Sequence, residues 1–216
     1  MTYSVKEIFL TLQGEGGQAG RAAVFCRFTG CNLWSGREAD RDKAICQFCD
    51  TDFIGTDGVN GGKFENAATL AATIASFWPQ PTQDTKATSQ KLVVFTGGEP
   101  LLQLDTALID AMHAQGFSIA VESNGTVMAP EGIDWLCISP KAGVELVQKA
   151  GTELKLVFPQ PGIDPAALEN LDFQHFWLQP MDGPQQAANT QAAIEYCLAH
   201  PLWGLSLQTH KLIGIP

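Results

Sequence analysis

An α/β fold built on a parallel sheet is what the sequence predicts, and three observations carry that reading. Short apolar runs rich in Val, Ile and Phe recur, amphipathic helical patterns separate some of them, and polar residues collect where the runs end. The runs span 22–28, 91–95, 117–121, 135–138, 154–158, 175–178 and 202–207, and their length and β-branched or aromatic content mark them as strands. Helical periodicity covers 67–77 behind Asn66 as N-cap, 106–115 between Asp105 and Gly116, and 186–199 ahead of Pro201. Strand, crossover, strand in this order implies right-handed parallel connections, only three of them long helices. Residues 79–90 (PQPTQDTKATSQ) have no apolar period and are expected to be a surface insertion. The length fits one domain over 1–216. Periodicity alone does not say whether the sheet curls into a barrel.

Composition removes several function classes. Thirteen Lys and Arg against 23 Asp and Glu give a net charge of −10. No Lys or Arg lies between Lys91 and Lys141 or between Lys155 and Lys211, which speaks against a nucleic-acid groove. Lys6 and Glu7 interrupt what would have to be the apolar core of a leader, and no run approaches the length of a membrane span. The expectation is a cytoplasmic protein that binds neither nucleic acid nor membrane.

In a reducing compartment six cysteines serve as ligands, catalysts or buried thiols more readily than as disulfides. Cys26, Cys137 and Cys197 sit in apolar surroundings (AAVFCRF, DWLCIS, IEYCLA) and are assigned to the core. Cys31, Cys46 and Cys49 lie among Gly, Asp, Arg and Asn, and are the ligand candidates. The C-x2-C pair places two thiolates on one tight loop, and Cys31, separated from Cys46 by fourteen residues, makes a third. Three thiolates suit an iron-sulfur cubane with one iron left open. Zinc with a distant histidine as fourth ligand is the alternative that spacing leaves standing.

Strand ends supply further polar residues. KLVVF runs into Thr96-Gly97-Gly98-Glu99-Pro100, a turn where backbone can approach a ligand and an acidic side chain can meet a cation such as an α-amino group. The next strand ends in Glu122-Ser123-Asn124-Gly125, and the one after in Ser139-Pro140-Lys141. Parallel α/β folds keep their sites at these carboxyl ends.

Cysteines on the loop after the first strand, then TGGEP, then ESNG, resemble the radical S-adenosylmethionine (SAM) superfamily, whose usual spacing is C-x3-C-x2-C. The longer spacing here is combined with Leu12-Gln13-Gly14-Glu15-Gly16, Arg27, Cys49-Asp50-Thr51 and Thr209-His210-Lys211. Together these resemble the 7-carboxy-7-deazaguanine synthase family from residue 12 to the C-terminus.

The resemblance implies a partial (β/α) barrel of about six parallel strands with few long helices. It also implies a lyase that contracts the ring of 6-carboxy-5,6,7,8-tetrahydropterin with release of ammonia, on the route to queuosine and other deazapurines. The implied cofactors are one 4Fe-4S cluster per chain, SAM and Mg2+. The implied partners are an external flavodoxin-like or ferredoxin-like electron donor and a second copy of the chain in a homodimer.

Residue by residue, the resemblance gives the cluster to Cys31, Cys46 and Cys49. It gives SAM to Phe48, Cys49, Asp50, Gly98, Glu99, Ser123, Ser139, Pro140, Lys141, Gln179, Pro180, Met181 and Asp182. The pterin falls to Leu12, Gln13, Gly14, Glu15, Arg27, Thr96, His210 and Pro216, a planar guanidinium being suited to its carboxylate. Thr51 matches the magnesium position, with a turn cap as its other possible role. His113, His175 and His200 are read as structural or surface residues.

Overall fold

The computed structural model describes residues 2–80 and 90–216. Its frame is one nine-stranded sheet: β1 (Tyr3–Leu12), β2 (Ala22–Phe28), β3 (Gly62–Phe64), β4 (Lys91–Gly97), β5 (Phe117–Ser123), β6 (Trp135–Ile138), β7 (Ala150–Phe158), β8 (Asp172–Pro180) and β9 (Trp203–Leu205). The spatial order is β3-β1-β2-β4-β5-β6-β7-β8-β9. From β2 through β9 every neighbouring pair is parallel, so seven strands form the parallel run. The pairs β1–β2 and β1–β3 are antiparallel.

The sequence reading missed β1 and β3. β1 hides its period because Lys6 lies among its buried positions, where it pairs with Asp52 and Asp57, and because its register slips between Val5 and Glu7. β3 is three residues long, too short to show a period. The expected insertion at 79–90 falls mostly on residues 81–89, which lie outside the described residues.

Three helices of eight or more residues cover one face: α1 (Ala67–Ser76), α2 (Thr106–Ala114) and α3 (Gln186–Ala199). The first two start where the sequence placed caps: Asn66 accepts from the Thr69 N–H at 2.9 Å and Asp105 from the Leu108 N–H at 3.0 Å. Ile74, Leu108, Ile109 and Met112 bury their side chains against Val93, Phe95, Ile119 and Val121 of the sheet, each contributing roughly 1.5–3 kcal/mol. Cys26 and Cys137 are buried and Cys197 is half-buried, as their apolar settings suggest. No helix among the described residues is long and apolar enough to cross a membrane.

The other face is only thinly apolar. Ala23, Leu92, Val94 and Ala120 form a small cluster flanked by Phe25 and Trp135. Towards the carboxyl ends that face turns polar, and parallel register sets its residues in rows: Arg27 beside Thr96, and Glu122, Cys137 and Glu153 on three successive strands. A short helix, α4 (Thr209–Ile213), closes the chain over this end. Its C-cap Gly214 has φ 70°, a left-handed conformation open to glycine, and there the last two residues turn back. Thr11 Oγ1 donates to the carbonyl of Pro216 at 3.0 Å.

Candidate active site

A cavity of about 430 Å3 opens at the carboxyl ends of the parallel strands, under α4. Cys31, Cys46 and Cys49 all line it, and none is in a disulfide. The fourteen-residue excursion between the first two folds back on itself. Ile45 N–H donates to Leu33 O at 3.1 Å, Trp34 Nε1 to Arg37 O at 3.2 Å, and the Arg41 guanidinium lies 4.2 Å over the Trp34 ring. Arg41 also donates to the carbonyls of Gln47 and Cys49, which ties the excursion to the C-x2-C turn. The long spacing therefore does not separate the thiols in space.

The electrostatics favour thiolate at Cys49, whereas burial pushes the Cys31 thiol up. A hydrogen bond from the Cys46 thiol is the main cause that lowers Cys49 to about 6, and it pushes Cys46 correspondingly up. Lys141 donates to both Ser139 O and Ser139 Oγ at 2.7 Å and sits 6.0 Å from the Phe48 ring centroid. Burial pulls its pKa down, while the neighbouring cysteine charges favour its ammonium form. Among the described residues, no three His, Cys, Asp or Glu converge as the ligands of a single metal ion. The chemistry of the donor set, three free thiols around one wide space, fits three corners of an iron-sulfur cluster.

TGGEP packs directly on the cysteine loop. Gly98 leaves no room for a side chain: a Cβ there would lie 2.2 Å from Gly30 O and 2.8 Å from Cys31 Cβ. Glu99, expected to meet SAM, is fully buried and is not among the residues that line the cavity. Its carboxylate accepts from Leu101 N–H (2.9 Å), Ser123 Oγ (2.9 Å) and Asn124 N–H (2.8 Å), and burial raises its pKa. It cross-links TGGEP to ESNG. Pro140, also expected at SAM, is buried behind the wall, where its carbonyl accepts from Gln160 Nε2. Phe48, Asp50, Gly98, Ser123, Ser139 and Lys141 do line the cavity, as do Gln179 to Asp182.

The far end holds the residues expected at the pterin. Leu12, Gln13, Gly14 and Glu15 line it together with Arg27, Thr96, His210 and Pro216. Arg27 gives its Nε to Glu7 at 2.7 Å. Thr209 donates to Gly14 O through both N–H (3.0 Å) and Oγ1 (2.8 Å), and His210 packs so closely that a Cβ at Gly14 would meet its ring at 2.2 Å. Thr51 also lines the cavity.

Several lining residues escaped the sequence reading. Lys155 is buried between Glu15 and Glu122, and Lys211 bridges Asp50 and Asp182 at 2.5 and 2.6 Å. A signal for both existed: Lys141, Lys155 and Lys211, three of the four residues that bound the cation-free stretches, all line the cavity.

A parallel sheet with three cavity-facing thiols at its carboxyl ends and a glycine turn packed on their loop defines a radical SAM type of protein. Comparison with known proteins narrows this. None of the protein-family models matches the chain. Proteins named 7-carboxy-7-deazaguanine synthase from Caulobacter vibrioides and Bordetella pertussis are 65% and 63% identical over 216 residues, covering the whole of both chains in each case. The crystal structure of QueE from Escherichia coli superposes with a TM-score of 0.67 at 26% identity, over 96% of this chain and 94% of that one. The chain belongs to the 7-carboxy-7-deazaguanine synthase family.

Proposed function

We propose that the cavity binds SAM at its cysteine end and 6-carboxy-5,6,7,8-tetrahydropterin at its Arg27 end, and that the chain, acting as a single domain, contracts the pterin ring to 7-carboxy-7-deazaguanine with release of ammonia. One observation carries the reading: Cys31, Cys46 and Cys49 share a single cavity with Arg27, Thr96 and Pro216. Members of the family are radical SAM lyases of deazapurine biosynthesis that use a 4Fe-4S cluster, SAM and Mg2+. Cys31, Cys46 and Cys49 would hold the cluster, which would supply the electron needed to generate radical chemistry from SAM.

The chain's own residues bind, orient and exclude water. Phe48 and Lys141 wall the SAM end, and the backbone of Gly98 lies close because no side chain stands in the way. Because Glu7 occupies Arg27 Nε, the two terminal nitrogens of the guanidinium remain for the substrate carboxylate. Thr51 offers a hard oxygen to magnesium, a weak ligand that needs the substrate carboxylate beside it. α4 covers the site and limits access of water to reactive species. An external flavodoxin-like or ferredoxin-like donor, a homodimer and a cytoplasmic location belong to the same proposal and rest on the resemblance.

The test is anaerobic reconstitution with iron and sulfide, then incubation with SAM, reductant, Mg2+ and the carboxytetrahydropterin, with mass analysis of products. 7-Carboxy-7-deazaguanine and ammonia are expected. SAM cleavage with the pterin untouched would assign the chain to a different radical reaction, and a colourless protein with stoichiometric zinc would remove the radical chemistry.

A further inference from the structure

The pterin end of the cavity contains a buried charge cluster that the expected contacts do not explain. Lys155, on β7, has a side chain only 4% exposed, and its Nζ is paired with Glu15 Oε2 and lies 3.4 Å from Glu122 Oε1. Each carboxylate has a second, neutral donor: Gln208 Nε2 to Glu15 Oε1 at 3.0 Å and Gln13 Nε2 to Glu122 Oε1 at 2.8 Å. Among the described residues Glu122 Oε2 has no partner. Four elements thus converge on one ammonium, and all of Gln13, Glu15, Glu122, Lys155 and Gln208 line the cavity. A buried cluster so fully cross-linked costs desolvation that a purely structural role would meet better with apolar side chains.

We propose that Lys155 is a positioning residue for the substrate: it clamps Glu15 and Glu122 side by side as paired acceptors for an N–H-rich heterocycle edge, the amino-pyrimidinone side of a pterin. The inference rests on the reading that a pterin occupies this end. Two carboxylates alone in a buried space would repel, and one would take a proton and become a donor facing donors. With the ammonium between them, Glu15 is held below the usual carboxylate range even though burial, the largest influence on it, acts the other way. Burial likewise opposes the charge on Lys155, but Glu122 and Glu15 hold it well above the usual lysine range. The other titratable groups facing the cluster are Glu153 on β7, Cys137 on β6, Lys141 after β6 and His210 on α4.

The experiment compares wild type, Lys155→Met and Lys155→Arg as reconstituted holoenzymes with SAM bound, measuring pterin binding against pH. Lys155→Met is expected to lose roughly tenfold or more in pterin affinity at neutral pH. Its acid limb should move up by about one pH unit or more, because Glu15 loses the charge that kept it ionised. Lys155→Arg should keep the limb in place. Affinity lost with an unmoved limb, or not lost at all, would overturn the proposal. If Lys155→Met does not fold, the double variant Lys155→Met/Glu15→Gln replaces it. It should bind weakly without an acid limb, and retention of the wild-type limb would count against the clamp. Wild-type protein that binds no pterin would sink the functional reading instead. The clamp is then decided by the 13C carboxyl titration of Glu15, expected to rise in Lys155→Met, and an unchanged titration overturns it.

Discussion

The two ends of the cavity are built by opposite means. At the cysteine end the wall is loop and backbone: a C-x2-C turn, a folded excursion from 32 to 45, and glycines that admit the neighbouring chain to 2.2 Å of where a side chain would begin. At the far end the wall is side chains from separate strands, with Arg27 on β2, Glu122 on β5 and Lys155 on β7, fastened from above by α4. A ligand at the first end meets geometry fixed by chain continuity, whereas one at the second meets charges that hold each other in place. Single substitutions should therefore act all-or-none at the cysteine end and by degrees at the other.

The sharpest break comes from the thiols. Replacing Cys31, Cys46 or Cys49 by Ala should abolish iron binding and SAM cleavage, whereas Ala at Cys26, Cys137 or Cys197 should leave iron content intact. Iron and sulfide assays decide it, and a cluster kept in Cys31→Ala but lost in Cys197→Ala would reverse the assignment.

Next in size is Gly98→Ala. Its Cβ would collide with the Gly30 carbonyl, so TGGEP and the cysteine loop must part. The cost is about 1–3 kcal/mol of stability by urea unfolding, with iron content falling alongside. Unchanged iron content would show that the loops are not rigidly coupled.

At the charged end, deletion of Ile213 to Pro216 removes the returning tail while leaving the sheet untouched. Pterin KM should rise roughly tenfold, equivalent to about 1.4 kcal/mol. The melting temperature should move by only about 2–4 °C. Equal kinetics in a stable truncation would take the tail out of the site.

The smallest effect belongs to Thr51→Ala, which removes one weak oxygen between the two ends. The magnesium needed for half-maximal ring contraction should rise roughly two- to fivefold, with cluster content and uncoupled SAM cleavage near wild type. An unaltered magnesium dependence would place the metal elsewhere.

The same contrast explains what could be read in advance. The cysteine end was legible because its parts are contiguous: C-x2-C, TGGEP and ESNG each declare a turn at a strand end. Even there a motif names a residue without saying which way it faces, and the Glu99 carboxylate turns towards Ser123 and Asn124. Lys155 was invisible as a partner of Glu15 because 139 residues lie between them, and only the stacking of β7 into the sheet brings them together. Strands read most clearly in the parallel run, where apolar residues follow one another. β1, antiparallel to both of its neighbours, was lost because a lysine occupies its interior. α4 was missed for a different reason: five residues are too few to show a helical period.

The excursion between Cys31 and Cys46 bears on how such centres tolerate a change of loop length. Closing a flexible loop becomes dearer only with the logarithm of its length, about 0.6 kcal/mol for each doubling. Contacts such as Arg41 on Trp34 and Leu33 to Ile45 offset a toll of that size. In energetic terms this stretch can therefore be longer or shorter while the thiols stay where they are. What the ring of thiols needs is closure, and the number of residues that close it matters little.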